Sequence, residues 1–134
     1  MNPKEQLIRY RMEKARNCLE AAMLLLKQQN VDSAVNRAYY SIFHEVTALL
    51  LTRNITSRKH SGIMSFFNQF FVKTGVIDKE FSKFYSTMYE SRQDSDYGDF
   101  VKFDLDIVKK WIHKTEAFLD ELDKVIEEEM KNGE

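Results

Sequence analysis

Arg37, Tyr40, Ser41 and His44 carry the first chemistry met along the chain. At 100° per residue they fall in one sector of a helix, away from its aliphatic stripe. An arginine beside tyrosine and histidine can hold a phosphate or a carboxylate, because guanidinium is permanently charged and offers a planar fork of donors. The same residues can equally form an internal network in which Arg37 pairs with an acidic side chain elsewhere, since either use offsets the cost of burying polar groups. Further on, Arg92 and Asp96 stand four apart, with Tyr97 adjacent. On a helix they share a face, either as part of a ligand site or as a surface ion pair worth about 0.3–0.5 kcal/mol. Between these segments Arg58, Lys59 and His60 form a short basic run, an electrostatic lip for a nucleotide or RNA or else a solvated face.

Other chemistries find no support in the spacing. His44, His60 and His113 lack metal-ligand spacing to cysteine or carboxylates, so no metal is expected. The run Asp94-Ser95-Asp96-Tyr97-Gly98-Asp99 has its glycine misplaced for a calcium loop, and Leu105 stands where the bidentate glutamate belongs. The chain has no P-loop, no G-x-S-x-G elbow and no dinucleotide-binding glycine signature. No cofactor is expected.

The elements that must position these residues read as helices. From Lys4 to about Gln29, the residues Ile8, Met12, Ala15, Leu19, Ala22 and Leu26 alternate spacings of four and three. A second stripe of Val31, Val35, Ala38, Ile42, Val46 and Leu49 runs to about Leu51, close enough behind the first to fold back antiparallel. Tyr39, Phe43 and Leu50 widen its apolar arc, which predicts a central helix touching several neighbours. Thr52 to His60 has no period and reads as an exposed basic loop. Ile63, Phe66, Phe67, Phe70 and Phe71 mark a short third helix closed by Gly75, and Asp78 suits the N-cap of a fourth carrying Phe81, Phe84, Tyr85 and Met88. The polar run from Ser91 to Asp99 interrupts that pattern. Asp104 then caps a fifth helix with Val108, Ile112, Thr115, Leu119, Leu122 and Ile126, flanked by Trp111 and Phe118, and the tail from Glu127 to Lys131 reads as a solvated end.

Composition agrees with that count. With 134 residues, 43% apolar and 31% charged, with one proline and four glycines, the chain has material for one core and little for the turns of an all-β fold. The expectation is all-α, one domain over residues 1–134. Lys plus Arg number 20 against 21 Asp plus Glu, a net charge of -1, so any nucleic-acid contact must be local rather than a global basic field. No run approaches the roughly 18 apolar residues of a membrane span. Cys18 is the one cysteine and sits among alanines and leucines, so a reducing, cytoplasmic setting is expected.

Taken together, Asn36-Arg37-Ala38-Tyr39-Tyr40-Ser41-Ile42-Phe43-His44, Lys59-His60-Ser61-Gly62 and Arg92-Gln93-Asp94-Ser95-Asp96-Tyr97 resemble the HEPN superfamily. The closer likeness is to an uncharacterised prokaryotic branch with N-R-A-Y-Y-x-x-F-H and R-x-x-x-D-Y motifs, over roughly residues 10 to 125. The resemblance implies an up-and-down four-helix core, a homodimer, and a small nucleotidyltransferase partner in a toxin and antitoxin arrangement. Many such proteins are metal-independent ribonucleases whose R-x4-6-H motif is contributed by two protomers. Here Arg92 stands at the arginine position, but Asp96 and Tyr97 follow and no histidine comes within six residues. In that chemistry Arg92 would stabilise a pentavalent phosphorane, while His44 or His60 would move the 2′-hydroxyl proton. Three readings follow: a module binding nucleotide, RNA or a nucleotidyltransferase through Arg37, Tyr40, His44, Lys59, His60, Arg92, Asp96 and Tyr97; an endoribonuclease using Arg92 and His44; and a structural homodimer without ligand.

Overall fold

A computed structural model of the chain describes residues 1–97 and 103–133, the side chains of residues 95–97 excepted. The described residues form five α-helices and no β-strand. Helix α1, Pro3–Lys27, starts where Asn2 Oδ1 accepts a hydrogen bond from Glu5 N at 2.8 Å, with Pro3 in the first turn. It ends at Gln29, whose φ of 61° turns the chain left-handed. Helix α2, Val31–Leu51, then folds back antiparallel: Ser41 Oγ donates to Ala15 O at 2.8 Å, and Lys4 Nζ reaches Thr52 O at 3.0 Å.

Helix α2 packs against every other helix. Its buried set includes Ala34, Val35, Ala38, Tyr39, Ile42, Val46, Leu49 and Leu50, so the wide apolar arc of the sequence does place it at the centre. Helix α3, His60–Phe67, is followed by a π-helical turn, Asn68–Val72, in which Lys73 N reaches back to Asn68 O at 2.8 Å. The pair buries Ile63, Phe67 and Phe71 before Gly75, at φ 83°, ends the segment.

Helix α4 spans Lys79–Tyr97, and Asp78 Oδ1 accepts from Glu80 N at 3.0 Å at its start. It continues through the polar run that breaks the apolar period. Helix α5, Leu105–Asn132, begins where Asp104 Oδ1 accepts from Asp106 N and Ile107 N at 2.8 and 3.2 Å. The tail expected to be a solvated end is largely exposed, but it is helical and continues α5, with Arg9 paired to Glu127 and Arg53 to Glu129. Phe118 of α5 meets the rings of Phe67, Phe81 and Tyr85, closing the core between α3, α4 and α5. Helices α1, α2, α4 and α5 thus form an up-and-down core, and α3 with its π-helical turn lies along α2, from His60 beside Phe43 to Phe71 beside Arg53. None of the described helices is long and apolar enough to cross a membrane.

Candidate functional site

The site grows from one side of α2, where Tyr39, Tyr40, Phe43 and His44 recur at i, i+1, i+4 and i+5. Helix α3 begins opposite, with His60 as its first residue rather than as part of the preceding loop. Tyr39 is fully buried, and its hydroxyl stands 3.1 Å from His60 Nδ1. From α4, Arg92 brings Nη2 to 3.4 Å from the same nitrogen, with its Cζ 5.1 Å from the Tyr39 ring centre and 5.9 Å from that of Tyr40. The imidazole of His60 lies 4.3 Å from Phe43 and 5.7 Å from Tyr40, centre to centre.

An arginine can only donate, so His60 Nδ1 accepts and the ring proton sits on Nε2. Burial first, then Arg92, lowers the His60 pKa, so the ring is neutral at physiological pH. Burial also raises the Tyr39 phenol, and Arg92 opposes it, leaving Tyr39 a hydroxyl donor. The result is a half-buried guanidinium on two aromatic rings, beside a neutral imidazole that offers N–H: a donor array suited to an anionic oxygen.

A second histidine adjoins this one. His44 is 5.5 Å from Phe43 and 6.3 Å from Tyr40, centre to centre, and its Nδ1 lies 3.4 Å from Arg11 Nη1 of α1. Burial, then the cations Arg11 and Lys14 and then His60, push the His44 pKa down to about 4.

The structure brings Tyr40, His44, His60 and Arg92 together and leaves other expected residues apart. Arg37 is exposed, and Ser41 faces α1. Lys59 is exposed and donates its backbone N–H to Ser57 Oγ at 3.2 Å. Asp96 and Tyr97 belong to the last turn of α4 by backbone, but their side chains lie outside the described residues. Sequence reading missed Tyr39, Phe43 and Arg11 as site residues. The first two read as core, and Arg11 is one of many charges on α1.

The sequence model of a family described as "HEPN domain" matches residues 8–125. A UPF0332 protein of Thermotoga maritima is 50% identical, covering 96% of this chain and 97% of its own. Two proteins of Methanocaldococcus jannaschii, each named a "Putative toxin", are 36% and 34% identical. The first covers 86% of this chain and 78% of its own, the second 87% of each.

Proposed function

The chain belongs to the HEPN domain family, and from that premise we propose that it is a toxin-like RNA-binding protein that grips a phosphate of the strand at Arg92, His60, Tyr39 and Tyr40. The observation that carries this reading is convergence. Residues from α2, α3 and α4, far apart in sequence, meet around one imidazole nitrogen, with a guanidinium stacked on two tyrosine rings. Arginine and tyrosine beside a neutral histidine suit an RNA backbone, where the guanidinium pairs with phosphate and the rings accept a base. The net charge of -1 fits a local grip rather than a coated duplex. The toxin names of two relatives support the toxin-like part of this reading and say nothing of the target.

Fluorescence anisotropy with a labelled single-stranded RNA tests this. Arg92→Gln should weaken binding about tenfold, the order of one charge-assisted hydrogen bond. Equal affinity for wild type and variant would remove Arg92 from the site.

A second reading, ribonuclease activity, is favoured by the direct contact of Arg92 and His60 within one protomer, which supplies the arginine and histidine that R-x4-6-H lacks here. His60, rather than His44, is then the proton-handling group. RNA cleavage without divalent metal that both Arg92→Ala and His60→Ala abolish would establish it. A wild type that binds RNA and leaves it intact keeps the binding reading alone.

A further inference from the structure

Arg11 is half-buried on α1, with Nε shut off from solvent and without a hydrogen-bond partner. Among the described residues its side chain makes a single hydrogen bond, to His44 Nδ1, and no ion pair. That bond fixes the ring proton of His44 on Nε2, a second N–H donor. The titratable groups acting on His44 are Arg11 and Lys14 from α1, with His60 from α3, and among the described residues no carboxylate is one of them. A guanidinium ordinarily comes into such a half-buried place with a carboxylate or with a ligand. Elsewhere α1 follows the first course, since Arg9 pairs with Glu127 and Arg16 with Asp120 and Asp123. At Arg11 no acid stands among the described residues. Phe43 and Tyr40 lie against both His44 and His60, so this cationic corner is continuous with the Arg92 site and separated from it by about one aromatic ring.

We infer that Arg11, His44 and Lys14 form a second phosphate subsite, so that one RNA strand is held at two phosphates on either side of Tyr40 and Phe43. The inference rests on the RNA-binding reading for its ligand, but not for its geometry. Arg11 makes the fixed contact, His44 Nε2 supplies a neutral donor, and Lys14 adds screened charge at the rim, where its Nζ lies 5.4 Å from the Tyr10 ring centre.

The test pairs RNA binding with NMR of the three histidine rings, the exposed His113 serving as an internal reference. Arg11→Gln should weaken binding of a labelled ten-nucleotide RNA about tenfold. It should also reduce the slope of log affinity against log salt by about 0.7, one phosphate's worth on a single strand, with Arg11→Lys recovering part of the affinity. In wild type, bound RNA should raise the His44 pKa from about 4, because a phosphate now faces the ring. Unchanged affinity and slope in Arg11→Gln, with His44 resonances indifferent to RNA, would overturn the subsite while leaving the Arg92 site standing. If wild type binds no RNA, the earlier reading fails, and inorganic pyrophosphate decides the subsite by itself. A rise of the His44 pKa that Arg11→Gln abolishes supports it, and an unmoved His44 overturns it.

Discussion

Burial and two neighbouring cations hold His44 near a pKa of about 4, so the ring stays neutral in the fold and charges only when the chain opens. Its unfolded pKa is near 6.5, so the unfolded state takes up the extra proton and stability from this group is lost as pH falls from about 6.5 to 4. Arg11→Gln removes one of those cations and should move the ligand-free His44 pKa upward, read directly by ring NMR. Glu45 of α2 behaves oppositely. It is fully buried, and burial first, then the Asp123 carboxylate beside it, raises its pKa to about 10. The folded state therefore keeps a proton that the unfolded chain releases above about 4.5, and stability should fall by up to about 1.4 kcal/mol per pH unit between those values. Above about pH 7.5 the histidines no longer contribute appreciably, so urea unfolding from there to pH 9 reads chiefly Glu45. Glu45→Gln should flatten the decline, and an equally steep decline in the variant would assign it to other groups. Of the residues that the structure brings together, Arg92, His60, Tyr40 and His44 were all singled out in the sequence by their own chemistry. Tyr39, Arg11 and Glu45 were not, because each role depends on what a distant element brings opposite. The Tyr39 ring belongs to the apolar arc of α2, and only the start of α3 gives its hydroxyl a partner.

At the scale of elements, His60 is placed by the turn that precedes α3. Ser57 Oγ accepts from Lys59 N at 3.2 Å, and Gly62, in the first turn of the helix, lies against Ser57. A Cβ at position 62 would collide with Ser57 Oγ and stand 3.0 Å from Ser57 Cβ, so Ser57 must shift and its hydrogen bond is strained. Gly62→Ala should cost about 1 kcal/mol of stability, the order of that hydrogen bond, yet displace the His60 ring resonances and weaken RNA binding several-fold. An unmoved His60 signal would show that the turn does not set its position. The elements themselves were mostly legible: α2 has the predicted bounds, and the caps at Asn2, Asp78 and Asp104 obey local rules, although only the last two were read from sequence. Where the period failed, the reason is physical. Helix α4 runs on because neither glycine nor proline interrupts it before Gly98, while its inward positions there are Ser91, buried, and Arg92, half-buried beside the site. A helix turning polar residues towards a site loses its hydrophobic stripe without losing its backbone. The end of α5 holds for a related reason, since Arg9 near the start of α1 and Arg53 just past the end of α2 pair with Glu127 and Glu129, contacts that no local pattern encodes.

For the whole molecule, the central place of α2 decides how the chain comes apart. The side chains it buries are shared with α1, α3, α4 and α5, so no helix can leave without exposing part of the same apolar core. Leu49 is fully buried on α2, and truncating such a side chain typically costs 2–5 kcal/mol, roughly a third of the 5–15 kcal/mol that holds an ordinary domain together. Leu49→Ala should therefore lower the urea midpoint strongly, whereas Arg92→Gln and Arg11→Gln, at half-buried positions beside the site, should leave it within a small fraction of that shift. This separation allows loss of RNA binding to be read as loss of contacts rather than of fold. Trp111 on α5 packs against Phe103 at 6.0 Å and reports from the end of the molecule away from the α5 tail, while far-UV circular dichroism reports all helices together. A single core shared by every helix requires the two probes to trace one transition, in wild type and in Leu49→Ala alike. Transitions that separate would mean that part of the chain opens independently of α2, and the site, built from α1 through α4, would then have to be assigned to whichever unit retains His60 and Arg92.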